Sequence, residues 1–382
     1  MRALSFLLTI ALLSWSGAWA DVDADLRTLL QIGPREVGTA GNTAGRAYLT
    51  ERLRALGYDV REEDFTYARY QDPGSTVTVR DGRAFDARAL HGGRASRVSG
   101  TVAWVRGVGS AADFARAGVR GRIAVVMRGG MLFRDKARNA RVAGATALII
   151  VNTDARVYRG AIGDDVGLPV VSVSREARGA LTTGSRVELD VRVRRESVRG
   201  VNVVASLPGA NARVLVGAHH DSFIHSPGLN DNASGVAGVL EVARLVRSTP
   251  LANDVMFAFF DGEEDGLQGS LAFVRRHVGT VRALRGMLSL DMIGVNAEPL
   301  GVSGSASLVQ LARRVIPDLR VFHGAGLSDH DAFIKAGVPA AFLFRGIDAN
   351  YHERTDTRAD PELVREAARA ALSIARALAP PR

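Results

Sequence analysis

Past residue 200 the chain alternates short, wholly apolar runs with longer stretches that are apolar on one helical face only. Val214 to Ala218, Val255 to Phe260, Met287 to Leu290 and Ala340 to Phe344 are too short for buried helices and are bounded by polar residues, so they read as buried strands. Between them, Val236, Val239, Leu240, Ala243 and Val246 recur at helical spacing. A last helix has Asp360 as N-cap, Pro361 in its first turn, and Leu363, Ala367, Ala370, Ile374 and Leu378 along one face. Buried strands alternating with amphipathic helices predict an α/β fold with a mixed, mostly parallel central sheet flanked by helices.

Upstream, Leu49, Leu53 and Leu56 mark a helix that Gly57 is placed to end in the left-handed conformation, and Tyr58 to Tyr67 alternates like a strand. Asp72-Pro73-Gly74 is a turn signal and sets a domain boundary. From about 75 to 195 the pattern becomes short β-like runs divided by glycine: Ser75 to Val79, Gly100 to Val105, Arg122 to Met127, Ala147 to Val151 and Val187 to Val193. One helix, Arg134 to Ala143, interrupts them, and no histidines and acids converge there. The expected division is a discontinuous α/β domain over 21–72 and 196–382, with a small β-rich insert over 73–195.

The first residues have a different purpose. Met1-Arg2 is a positive start, Ala3 to Leu13 an apolar core, and Ala18-Trp19-Ala20 a small-x-small cleavage site. This is the pattern of a signal peptide over 1–20, cleaved after Ala20, and it predicts a secreted or periplasmic protein. Its core is shorter than the ~18 residues that span a bilayer. No later segment is long and apolar enough to insert stably, and no cysteine is present to carry a lipid.

The absence of cysteine also excludes disulfides, thiolate metal sites and a cysteine nucleophile. Lys and Arg total 49 against 40 acids, a net charge of +9, and only Lys136 and Lys335 are lysines. The arginines are scattered, whereas a polyanion site gathers them in a block or on one helix face. The charge therefore reads as a solvated surface, with no nucleic-acid partner and a monomer as the expected state.

Three of the apolar runs lead straight into acids or histidine: His219-His220-Asp221, Asp261-Gly262-Glu263-Glu264, and Asp291. Asp231 and His352 add two more from loops. In a parallel sheet the carboxyl ends of the strands form the ligand crevice, so these groups should converge. Like charges gathered there require a cation or a proton between them. A sulfur-free set of two histidines and three carboxylates suits Zn²⁺ first, with Mn²⁺ or Co²⁺ as alternatives. Five ligands suffice for two ions about 3.5–4 Å apart if one carboxylate bridges. Strand alternation puts His219 and Asp221 on one face and turns His220 away, so Asp221 can accept from the second nitrogen of His219.

Two resemblances follow from these residues. The segment MRGGMLFRDKARNARVAGATALIIV over 127–151, with Leu168-Pro169-Val170-Val171, resembles the protease-associated (PA) domain, an accessory module. Ala218-His219-x-Asp221-Ser222, Asn230-Asp231-Asn232-Ala233-Ser234-Gly235, Asp261-Gly262-Glu263-Glu264, Leu290-Asp291-Met292 and Tyr351-His352 resemble the di-zinc aminopeptidases of family M28. The spacing is specific: 12 residues from His219 to Asp231, 33 to Glu264 and 27 to Asp291.

The resemblance implies a zinc-exopeptidase, phosphorylase/hydrolase-like fold and two Zn²⁺ per chain. His219 and Asp291 would hold one ion, Glu264 and His352 the other, with Asp231 as bridge and a cis peptide bond after it. It further implies peptide substrates with a free N-terminus, hydrolysed by a metal-activated water with Glu263 as general base. Asp221 would orient the site and Tyr351 would donate to the oxyanion; Met292 and His330 are candidates for the substrate pocket. Asn232-Ala233-Ser234 fits a glycosylation sequon but sits beside a metal ligand and reads as chance. The alternatives are a carboxypeptidase or single-zinc glutaminyl cyclase of the same superfamily, or a non-catalytic homologue.

Overall fold

The computed structural model describes residues 21–158, 160–163, 166–322 and 328–379, and the expected signal peptide lies outside them. An eight-stranded mixed sheet organises the larger unit. Its order is Asp59–Gln71, Arg194–Ser206, Val255–Phe260, Val214–His219, Gly286–Leu290, Ala340–Phe344, Gly301–Gly304 and Arg320–Val321. The four central strands, from Val255–Phe260 to Ala340–Phe344, run parallel, and an antiparallel strand flanks them on each side. Every residue of those four is buried, which explains their unbroken apolar sequence.

Alternation along each strand feeds two separate cores. Phe257 and Phe259 point to the face covered by helices Val22–Ile32, Gly235–Val246 and Pro361–Leu378. Met256 and Phe260 point to the other face, against Phe273 and Phe333 of helices Gln268–Arg276 and His330–Lys335. The last helix is capped as its sequence suggests, Asp360 accepting from the Glu362 amide. Its buried stripe begins at Val364, with Leu363 only half-buried. The helix Ala40–Ala55 ends at Gly57, whose φ of +80° and amide bond to the Arg54 carbonyl (2.8 Å) close its last turn.

The strands Asp59–Gln71 and Arg194–Ser206 pair along their whole length and carry the chain into and out of a second unit. There, seven strands between Ser75 and Val191 close into a barrel. Alongside the expected helix, now Phe133–Val142, stands an unexpected one, Ala111–Ala117, begun by a reciprocal Ser110–Asp113 capping box. Lys136 is fully buried and donates from Nζ to the carbonyls of Val108, Met127 (3.1 Å) and Gly129 (2.9 Å). Three acceptors match the three protons of an ammonium, so one side chain ties three loop carbonyls together.

Candidate metal centre

His219 is the last residue of its strand, opposite Phe260 of the neighbouring parallel strand. That register brings the segment Asp261 to Glu264 level with His219, and Asp291 follows the next parallel strand. Tyr351 and His352 sit on the loop after Ala340–Phe344. Four strand ends thus deliver their polar residues to one edge, because a parallel arrangement points all carboxyl termini the same way.

Asp231 comes from the segment Leu229–Ser234, and the Asp231-Asn232 peptide bond is cis. This segment is fastened to the end of the Gly286–Leu290 strand. Asn232 Nδ2 donates to the Leu290 carbonyl (2.9 Å), and its Oδ1 accepts from the amides of Gly235 (2.9 Å) and Met292 (3.3 Å). Ser234 Oγ accepts from the Ile293 amide, and Asn230 Oδ1 from that of Gly294. Asn232 is wholly buried with its amide engaged, so the sequon there is sterically closed. Gly235 is needed for the approach: a Cβ would lie 2.2 Å from the Leu290 carbonyl oxygen.

The two oxygens of Asp231 face different histidines. Oδ1 is 3.3 Å from His219 Nε2, and Oδ2 is 3.3 Å from His352 Nε2. His219 Nε2 is also 3.5 Å from Asp291 Oδ1, and His352 Nε2 is 3.1 Å from Glu264 Oε2. Two trios, His219–Glu263–Asp291 and Asp231–Glu264–His352, each keep their donor atoms within 4.8 Å of one another. Asp221 Oδ1 stands 3.5 Å from His219 Nδ1, and the Asp221 carboxylate accepts from the amides of Glu263 and Glu264, both at 3.2 Å. It thereby fixes the turn that carries both glutamates.

The electrostatics are those of a crowded acidic pocket. Burial, reinforced by Glu264, Asp291 and Asp329, pushes Glu263 well above the ordinary carboxyl range despite the His219 charge. Burial also lifts Glu264 to about 7. Burial opposes charge on His352, yet Glu264 and Asp231 carry it up to about 10. For Asp231 burial works upward, but hydrogen bonds from both histidines hold it well below the usual range. Buried Glu264 Oε1 and Asp291 Oδ1 have no hydrogen-bond partner. Orphaned carboxylate oxygens in a hard nitrogen and oxygen set fit a divalent cation such as zinc.

The remaining candidates surround this pocket. Tyr351 stacks on His352 at 3.7 Å, and burial keeps its hydroxyl proton far above the ordinary phenol range. Met292 packs with Phe342 and Phe344, with Phe322 and Tyr351 against them, and forms an apolar patch beside the acids. His330 stacks on Phe342 at 4.6 Å, and burial lowers its pKa to about 4. Neither Ser328 nor Asp329 caps the helix that His330 begins. His220 turns away, with Nε2 3.0 Å from the Val201 carbonyl. Met292 (φ 51°) and His352 (φ 62°) both hold left-handed backbone, a conformation costing of order 1–3 kcal/mol and found at functional sites.

Sequence reasoning missed three neighbours. Phe223 stacks on His352 at 4.1 Å, Asp356 accepts from the amides of Asn230 (2.9 Å) and Asp231 (3.0 Å), and Arg35 lies buried beneath the loops. Asp356 follows His352 closely enough to have been considered, but nothing in the sequence signals Arg35 or Phe223.

Comparison with known proteins agrees with the geometry. Residues 202–375 match the model of peptidase family M28, and residues 97–181 match the PA domain. The probable lipoprotein aminopeptidase LpqL of Mycobacterium tuberculosis is 31% identical over 385 residues, covering 85% of this chain and 76% of that one. The aminopeptidase of Aneurinibacillus sp. strain AM-1 superposes with a TM-score of 0.71 at 26% identity, covering 95% of each chain. BSAP, a zinc aminopeptidase from Bacillus subtilis, gives 0.68 at 26% identity, covering 94% of this chain and 95% of its own. With these relatives, a parallel-centred sheet and a sulfur-free cluster of acids and histidines at its edge, the chain belongs to peptidase family M28, a metallopeptidase that carries a PA domain.

Proposed function

We propose that this protein is an exported di-zinc aminopeptidase that removes N-terminal residues from peptides. The observation that carries the reading is Asp231, each oxygen 3.3 Å from a different histidine. His219 and Asp291 would hold one ion and Glu264 and His352 the other, with Asp231 shared between them. Zinc, when bound, supplies a Lewis acid for the scissile carbonyl and acidifies water.

The chain supplies the rest. Glu263 takes the proton of the attacking water and returns it to the leaving amine; a carboxyl with a raised pKa is suited to both steps. The Tyr351 hydroxyl, which stays protonated, donates to the oxygen on which negative charge develops. Asp221 positions both glutamates through their amides and orients His219. The apolar patch of Met292, Phe342 and Phe344, walled by His330, receives the N-terminal side chain and favours leucine-like residues. The free amino group lies against the acidic cluster, which gives the exopeptidase preference. Export rests on the signal peptide pattern of residues 1–20.

Amino-acid anilides, amino-blocked controls and carboxyl-terminal substrates, assayed before and after chelation, test the proposal. Cleavage confined to free N-termini and abolished by chelator is expected. Cleavage of blocked or carboxyl-terminal substrates, or indifference to chelator, would overturn it.

A further inference from the structure

Arg35 is the largest fully buried side chain of the described residues, and it lies nearly two hundred positions before the loops it touches. Its Nε donates to the His220 carbonyl (3.1 Å), Nη1 to those of Gly33 (3.1 Å) and Pro227 (2.8 Å), and Nη2 to that of Gly228 (2.9 Å). Its backbone is anchored as well: the amide donates to Ser222 Oγ (2.8 Å), and the carbonyl accepts from Asn42 Nδ2 (3.1 Å). One guanidinium therefore joins the segment just after His219 to the segment just before Asp231. Its charge faces Asp221, Asp231 and Asp356.

The Asp231 segment is gripped from the other side by opposite chemistry. Asp356, on the loop of His352, accepts from the amides of Asn230 and Asp231. A cation thus holds the carbonyls entering the segment, and a carboxylate holds the amides inside it. The fit at the entrance is close: a Cβ on Gly228 (φ +59°) would lie 2.3 Å from the Asp231 carbonyl oxygen and 3.2 Å from Arg35 Nη2.

We infer that Arg35 is a positioning residue that keeps Asp231 midway between His219 and His352, and so decides whether the cluster accepts a second cation. This rests on the two-zinc reading above. The physical reason is that two neighbouring cations repel and a shared carboxylate between them offsets that repulsion, and the equal 3.3 Å separations depend on both loops keeping their register. An interaction behind a ligand that fixes its orientation acts on metal affinity rather than on chemistry.

The test is a zinc titration of the chelator-stripped protein against a competing indicator, with stoichiometry by metal analysis, in wild type, Arg35→Met, Arg35→Lys and Arg52→Met. Arg52 is the control: it is also buried and pairs with Asp25 at 2.9 Å on the same N-terminal segment. Arg35→Met should weaken uptake of the second ion about 10–100-fold. Arg35→Lys should recover part of that loss, and Arg52→Met should bind both ions as wild type does even though its melting temperature falls. Wild-type titration of Arg35→Met, or an equal loss in Arg52→Met, would overturn the inference while leaving two zinc ions in place. A wild-type protein that takes up a single ion would overturn the two-zinc reading and this inference with it. If Arg35→Met fails to fold, Arg35→Lys decides, because an ammonium cannot span the same carbonyls; unchanged second-ion affinity there overturns the proposal.

Discussion

Glu263 and Glu264 are adjacent in sequence and have different neighbours in space. Glu264 Oε2 meets His352 at 3.1 Å, while Glu263 falls with His219 and Asp291. The turn fixed by Asp221 makes that divergence dependable, since both amides donate to one buried carboxylate. Glu263→Gln keeps the shape and removes the proposed base. It should lower kcat by about 10²–10⁴ with zinc content unchanged, read by steady-state kinetics beside metal analysis. Turnover near wild type would remove Glu263 from the mechanism. Tyr351→Phe removes a single donor and should lower kcat by up to about 10²–10³ with KM little altered. A fall confined to KM would mean that Tyr351 only binds substrate.

At the scale of elements, most of the polar chemistry serves to fasten loops to strand ends. Asn232 is the clearest case, bonding Leu290, Gly235 and Met292 at once. Asn232→Ala should leave those groups without their partner and cost about 1–3 kcal/mol, measured by denaturant unfolding. Asp291 directly follows Leu290, so a loss of zinc affinity should accompany it. Lys136 does the same work in the barrel. Lys136→Met should also cost about 1–3 kcal/mol, but turnover per folded molecule should not change. The long strand Asp59–Gln71 that enters the barrel reaches the site turn too, for Arg69 Nε donates to Asp265 Oδ2 (2.7 Å) next to Glu264. The site turn is thereby tied to the strand of the larger sheet that leads into the insert.

For the whole molecule, the balance of charge differs from that of the site. The chain is arginine-rich with a net charge of +9, whereas the cluster at the sheet edge sets Glu263, Asp291, Asp231 and Glu264 against His219 and His352. A cation that binds only the folded state stabilises it by mass action, so chelation should lower the melting temperature as well as abolish activity. Re-addition of zinc should restore both, and a melting curve indifferent to chelator would argue against a resident ion.

The amino-acid sequence by itself determined the sheet's central strands, because strands buried on both faces must be apolar throughout. It also determined which residues follow them, since parallel strands bring their carboxyl ends to one edge. The convergence of His219, Asp231, Glu264, Asp291 and His352 was legible for that reason, and for its match to a family pattern. The helix Ala111–Ala117 was not, because Phe114 is its one large apolar side chain and marks no stripe. Arg35, Asp356 and Phe223 were decided only by tertiary structure. Arg35 acts on backbone carbonyls, which carry no side-chain signature, and it does so across 185 residues of chain. Contacts of that kind exist only once the N-terminal segment has packed beneath the loops, so no local pattern in the sequence can announce them.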